Sequence, residues 1–321
     1  MANTRTNIPN VVDPALNAVF ADVLEEYQPS YTQVAKVIQS STDQEEYLDT
    51  TGMGELSEKT EGASVDFDNL LEGYKTTIVN ATFSRGLRFS LELIEDNKFN
   101  QVLDATRAQM RSFVRTRDHA FWGLFNSGFN TSFTSYGDAK PLFSTTHTRK
   151  DGGSNQSNAS STGIVLSETN LETGLLAMRE ILDHKGQPKM VGWGRVQLVV
   201  PPSLGKEAVE ITQSELQAGS ANNNLNWYKG QNVDVLVVPW LSATLGTAWN
   251  GGTAGVNTNW FLVDPLVHSL VFQNRSNPVM ESQIDFDTKE SKNSIVTRFG
   301  TGWTGWWGAW GSKGDGASYT S

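Results

Sequence analysis

The sequence predicts an α+β chain: one very long helix, a set of short buried strands, and a polar two-stranded excursion standing away from the body. Three observations predict it. Apolar residues recur at three- and four-residue steps from Phe99 to Phe125, the period of a helix that buries one face. Residues 74 to 93 alternate in the manner of extended strands, whereas 52 to 72 carry too few apolar residues to form a core. In the C-terminal half, "NVDVLVVPWL", "NWFLVDP" and "VHSLVFQ" are short apolar runs rich in β-branched residues, the signature of buried strands.

Each element can be justified in chain order. Asp13-Pro14 is a helix start, with Asp able to cap and Pro at the first helical position; Leu16, Val19, Phe20, Val23 and Leu24 follow at helical spacing, and Pro29 stops the helix. The stretch 41 to 93 reads as two strands joined by a Gly- and Glu-rich middle. Phe99, Val102, Leu103, Met110, Phe113, Val114, Phe121, Leu124 and Phe125 then define the long helix, closed by Gly128. At 1.5 Å per residue, such a helix is about 45 Å long. The tract "RKDGGSNQSNASSTG" is expected to be a flexible surface loop. Thr169 with Glu172 forms a capping-box pattern before "NLETGLLAMREILDH", with Gly186 as its stop. "VQLVVPPSLGKEAVEITQSEL" reads as strand, turn and helix, and residues 277 to 312 as a final hairpin ending in a tryptophan cluster.

Composition narrows function. The 321 residues carry a formal charge of −10, which opposes tight non-specific binding to nucleic acid, because that binding needs clustered cations to displace counterions. There is no cysteine, so disulfides, thiolate catalysis and Cys-based zinc sites are excluded and stability rests on packing and association. The N-terminal "MANTRTNIPNVVDPALNAVF" has no long apolar run, so neither a signal peptide nor a membrane span is expected. The triplets Asn80-Ala-Thr82 and Asn158-Ala-Ser160 are chance matches in an Asn-rich chain.

Candidate chemistry is thin. "YGDAKPLFSTTHTRKDGG" places Ser144, His147 and Asp151 within a few positions of one another. A working triad is held on a rigid scaffold, usually from distant parts of a chain, and no G-x-S-x-G elbow surrounds Ser144; a loop histidine with a structural hydrogen bond is the better reading. "GTGWTG", Gly300 to Gly305, matches the dinucleotide pattern in letters alone, since no βαβ unit can follow it. Asp285 and Asp287 fall on one face of a strand, best read as a solvated face. His119, His147, His184 and His268 lack zinc spacing. Arg107, Arg111, Arg115 and Arg117 put positive charge on the long helix, and pairing with acids is favoured over DNA recognition. Trp303, Trp306, Trp307 and Trp310 are either core anchors, a stacking platform or a partner-facing surface, and packing against another subunit ranks first. No catalytic residue, cofactor or metal is assigned.

The order of these elements resembles the major capsid protein of tailed bacteriophages, the Hong Kong 97-type fold, with the closest likeness to the Mu-like major head subunit group. The resemblance is carried by "EEYLDTTGMGELSE" leading to "YKTTIVNATFSRGLRFSLELIEDN", by the helix from Lys98 to Phe125, and by "PLFSTTHTRKDGGSN", "LVVPPSLGKEAVEI" and "NWFLVDP". It implies an N-terminal arm and helix over 1–40, an extended loop (E-loop) with flanking strands over 41–93, and a spine helix with peripheral domain over 94–195. An axial domain would occupy 196–270, and C-terminal strands returning to the peripheral domain 271–321. It further implies a non-enzymatic protein that self-assembles as hexamers and pentamers into an icosahedral shell around double-stranded DNA. The shell would be part of the virion, assembled in the bacterial host cytoplasm with scaffolding, portal and decoration proteins and no membrane. DNA contact would be weak and non-specific. Inter-subunit contacts are expected at Gly54, Glu55, Glu58, Lys59, Glu61, Arg115 and Arg117. Some relatives crosslink subunits through Lys and Asn; Lys59 lies in the loop, but no Asn partner is identifiable. No long scaffolding segment precedes the arm, which implies separate scaffolding or removal of little sequence. An encapsulin-like compartment shares the fold, and a soluble hydrolase using Ser144, His147 and Asp151 is the rival of another class.

Overall fold

A computed structural model of the chain describes residues 28–70, 72–90, 99–216, 225–285 and 290–321; the helix expected from Asp13 and the acid Asp287 lie outside them. Helix α1 (Phe99–Asn126) is the longest element, and its 28 residues span about 42 Å. Its periodic apolar face is used in two halves. Met110, Phe113 and Val114 pack with Ile295 in a small separate cluster, while Phe121, Trp122 and Phe125 enter the main core.

Strands β1 (Lys36–Gln39), β2 (Gln44–Thr50), β3 (Glu72–Val79) and β4 (Ala81–Ser90) precede α1. After it come helix α2 (Glu168–Arg179), strand β5 (Val196–Val200), helix α3 (Gly205–Gln213) and strand β6 (Val233–Val237). Strands β7 (Trp260–Val263), β8 (Leu270–Ile284), β9 (Glu290–Trp303) and β10 (Ala309–Ser312) complete the chain. They form a sheet β1-β8-β9-β4, a sheet β10-β7-β5-β6, and a two-stranded ribbon β2-β3. The α+β expectation and the two-stranded excursion are therefore both seen, although β3 buries Thr76 and Ile78 at its base. The final hairpin is seen as well, and "VHSLVFQ" is the start of its first strand, β8, paired antiparallel with β9 from Leu270↔Trp303 to Ile284↔Ser291.

Several local expectations are corrected. Helix α2 is capped by Ser167, not by a Thr169–Glu172 box: Ser167 has an extended backbone, and its hydroxyl accepts from the Asn170 N–H. The same helix ends at Arg179, whereas Gly186, at φ +80°, closes a later turn through its N–H to the Asp183 carbonyl. Strand β6 is only partly buried because it is the edge of its sheet, with β5 as its neighbour. The tract 149–163 is not all surface loop. Its first residues are exposed, but Asn158 and Ala159 are buried and run beside Gly311 as an isolated bridge.

The largest correction concerns the tryptophans. Trp303, Trp306, Trp307 and Trp310 are buried within this chain, alongside Trp122 and Trp260. They leave no aromatic surface for a second subunit. Trp310 stands on β10, which pairs with β7 in the compact sheet, so the C-terminal aromatics close the chain's own core. The physical reason is geometric: β9 carries Trp303 into the core, and the turn after it brings Trp306 and Trp307 over the histidines of the preceding loops.

Candidate assembly surface

The ribbon β2-β3 is joined by the connection 51–71, and residues 53 to 70 of that connection are exposed throughout. Leu56 is 99% and Phe67 87% exposed, a cost in water that small polar loops do not carry. The loop's limbs are tied at one point, where the Gly54 N–H donates to Asp68 Oδ2 at 2.8 Å and Lys185 pairs with Asp68 Oδ1 at 2.5 Å. The Gly54 N–H and the Lys185 ammonium hold the Asp68 carboxyl below the usual carboxylate range. Between the limbs lies an open cleft of about 460 Å³, lined by Met53 to Thr60 and Ala63 to Asp68. No core fills it. Gly54, Glu55, Glu58, Lys59 and Glu61 all stand on this exposed loop.

The root of the ribbon is built differently. Asp49 Oδ2 lies 3.1 Å from both the Tyr136 hydroxyl and His184 Nε2. Burial and the Asp49 charge push the Tyr136 hydroxyl well up, so it stays a donor. Tyr74 on β3 bonds Thr148 at 2.7 Å and packs edge-on against Tyr136 and His184. Gly73 and Gly137 permit the approach: a Cβ would sit 2.8 Å from the Asp49 carbonyl oxygen at the first and 2.6 Å from that of Lys75 at the second. The excursion is therefore a fixed stalk with an unsupported tip.

The long helix disposes its arginines unequally. Arg107, Arg111 and Arg115 are exposed, and Arg107 pairs with Asp104 at 2.9 Å. Arg117 is turned inward: its guanidinium lies 4.7 Å over the Phe272 ring and 5.3 Å over Phe113, and it donates to Asn274 Oδ1 at 2.9 Å. Arg117 thus packs within this chain, a role sequence spacing does not reveal. Its neighbour Asp118 holds the N-terminal segment, accepting from the Ser30 and Tyr31 N–H groups at 3.1 and 2.9 Å.

The rival triad of Ser144, His147 and Asp151 is not assembled. His147 is fully buried; its Nδ1 faces Asp138 Oδ2 at 2.6 Å and its Nε2 faces Asn158 Oδ1 at 3.1 Å. The ring is stacked on Trp306 at 4.6 Å with 5° between planes. Asp151 pairs with Arg149 instead, and the Ser144 hydroxyl meets Ser321. A buried serine without a base has no nucleophile chemistry to offer. Asn158 organises the group, donating through Nδ2 to the carbonyls of Leu142, Trp306 and Ala309. Sequence reading missed Asp138 and Asn158 as partners, since both sit in turn-rich tracts that look like surface.

"GTGWTG" forms the end of β9 and the turn after it, with no helix following, so it makes no phosphate cradle. Asp285 pairs with Lys292 across the β8-β9 hairpin. Among the described residues no group of three or more His, Cys, Asp or Glu side chains converges as a metal site, and no helix is long and apolar enough to cross a membrane.

A fixed stalk with an exposed tip, a spine-like helix under a long mixed sheet, and a compact second sheet form the plan of a shell subunit. The family model described as phage capsid protein matches residues 73–311. The chain belongs to the phage capsid protein family. Its fold is similar to that of the capsid of an empty GTA particle, at a TM-score of 0.53 and 12% identity over 91% of this chain and 90% of that one. It is similar also to Mycobacterium phage Patience, at 0.52 and 12% over 97% and 88%, and to Microbacterium phage Oxtober96, at 0.52 and 10% over 87% and 86%. No curated protein matches the chain by sequence. The Hong Kong 97-type reading of the fold stands on these likenesses. Membership makes the phage capsid protein a structural, self-assembling component of the virion rather than an enzyme.

Proposed function

We propose that this capsid protein is the major head subunit of a tailed phage, assembling as hexamers and pentamers into an icosahedral shell around double-stranded DNA. Assembly takes place in the host cytoplasm, with scaffolding, portal and decoration proteins as partners. The observation that carries the reading is the tip of the excursion: eighteen residues, 53 to 70, all exposed, on a stalk whose root is locked to the body by Asp49, Tyr136 and His184. An element without a core gains order by lying across a neighbour, and weak contacts repeated around a closed ring multiply. Gly54, Glu55, Glu58, Lys59 and Glu61 are the proposed contact residues on the loop. Arg107, Arg111 and Arg115 supply weak, salt-screened phosphate contact; Arg117 is left out because its charge is packed inside the chain.

Negative-stain microscopy of the purified protein tests this directly, with shells, tubes or capsomer rings expected. Deleting residues 52–72 should leave the body folded and abolish these assemblies. A wild-type protein that scatters light as one 35.2 kDa species under all salt and concentration conditions would refute the proposal.

A further inference from the structure

The turn Trp249–Gly252, in the connection between β6 and β7, carries a reactive pair of residues. Asn250-Gly251 is the one Asn-Gly step in the 321-residue chain. Both residues have positive φ, 46° and 77°, and the Gly252 N–H closes the turn on the Trp249 carbonyl at 2.8 Å, the mirror-image two-residue turn that Asn-Gly favours. Both are exposed, and a Cβ placed on Gly251 would meet nothing within 4 Å. Among the described residues none hydrogen-bonds the Asn250 side chain or the Gly251 N–H. Asn158 is the contrast: it is buried, and its Nδ2 is held by the carbonyls of Leu142, Trp306 and Ala309. The turn also braces α1. Trp249 lies against Gly123, where an added Cβ would stand 2.9 Å from the Trp249 Cβ, and its ring lies 5.6 Å from Phe83 and 5.1 Å from His119. Just beyond the turn, the Thr253 N–H donates to Ser127 Oγ at 2.9 Å.

We infer that Asn250 is a site of spontaneous covalent modification, converting through a cyclic imide to isoaspartate and aspartate. The chemistry needs water alone. The Gly251 amide nitrogen gives up its proton to solvent base and attacks Asn250 Cγ; an N–Cγ bond forms, the Cγ–Nδ2 bond breaks, and ammonia leaves with a proton returned from solvent. Water then adds to one of the two imide carbonyls. Opening the ring at Cγ gives aspartate, whereas opening it at the main-chain carbonyl leaves Gly251 joined through Cγ, which is isoaspartate. Glycine in second place matters, because it puts no side chain in the way of the closing ring and leaves the backbone free to turn. The two products differ in consequence. Aspartate keeps the turn, since Asp-Gly is favoured there as well, and adds one negative charge. Isoaspartate threads an extra methylene into the main chain, so the bond from Gly252 to Trp249 loses its register, and Trp249 and Thr253 lose their fixed spacing on α1.

The test stores the folded full chain warm, at neutral and at mildly alkaline pH, and maps its peptides by mass spectrometry, with electron-transfer fragmentation to tell isoaspartate from aspartate. The peptide spanning Asn250 should gain the mass of a carboxyl in place of an amide. Isoaspartate should be present with aspartate, and alkaline samples should convert faster because the attacking nitrogen must lose its proton, while Asn158 stays an amide. Conversion confined to urea-unfolded protein, or aspartate formed without isoaspartate, overturns the inference. Two variants separate the chemistry from its structural effect. Asn250→Gly keeps a residue that the turn accepts and removes the side-chain amide, so stored samples should hold their urea midpoint while that of the wild type falls; equal falls in both would overturn the bracing role. Asn250→Asp should unfold like fresh wild-type protein, and a variant already as weak as the aged wild type would overturn the assignment of the loss to isoaspartate.

Discussion

Acidification provides a sharp test of the core, through His268. The residue is 2% exposed, and its Nδ1 accepts from the Leu270 N–H at 3.2 Å, which requires the neutral ring. Burial, reinforced by repulsion from Lys36 and opposed by Asp264, pulls its pKa down to about 4. In the unfolded chain the value is about 6.5. The folded pKa is the depressed one, so the unfolded chain binds the extra proton across this interval. Stability from this group is present above about 6.5 and is lost as pH falls toward about 4. At about 1.4 kcal/mol per unit, the whole interval is worth about 3 kcal/mol. Asn at this position can accept from Leu270 through Oδ1 without taking up a proton. Urea unfolding of unassembled protein, repeated between pH 7 and 4, should therefore show the His268→Asn variant losing about one proton's worth less stability per pH unit than the wild type. Identical pH slopes for the two proteins would refute the reasoning.

Other outcomes follow from the same contacts. His147→Ala leaves Asp138 buried without its partner and should destabilise by about 3–5 kcal/mol, read as a fall in urea midpoint, whereas Ser144→Ala should leave assembly unchanged. Trp306→Ala should destabilise by about 3–5 kcal/mol, because that ring is buried against His147; a surface role would give almost no change. Glu58→Lys in the exposed loop should leave the unfolding midpoint within about 0.5 kcal/mol while slowing assembly measured by light scattering. Unassembled protein should give no sequence-specific shift of duplex DNA at physiological salt, checked by gel-shift titration.

Periodicity alone was enough for the elements that bury a face. The steps from Val102 to Phe125 can only place their apolar side chains together on a helix, and the alternation around Tyr74 to Val79 needs an extended chain with one side packed. The bareness of residues 53 to 70 was equally readable, because a segment with so little apolar content cannot build a core whatever surrounds it. Partnership between distant residues was not readable. Trp303 and Trp306 look the same in sequence whether they face a neighbour or their own core, and only the pairing of β10 with β7 and of β9 with β8 turns them inward. Arg117 and Arg115 differ by two positions on one helix, yet that rotation puts one guanidinium against Phe272 and leaves the other exposed. His147 finds Asp138 and Asn158 rather than Asp151 because the chain doubles back at Gln156, whose N–H and carbonyl pair with His147. Burial of polar groups is decided by which segments the fold brings together, and that is a property of the tertiary structure, not of local spacing.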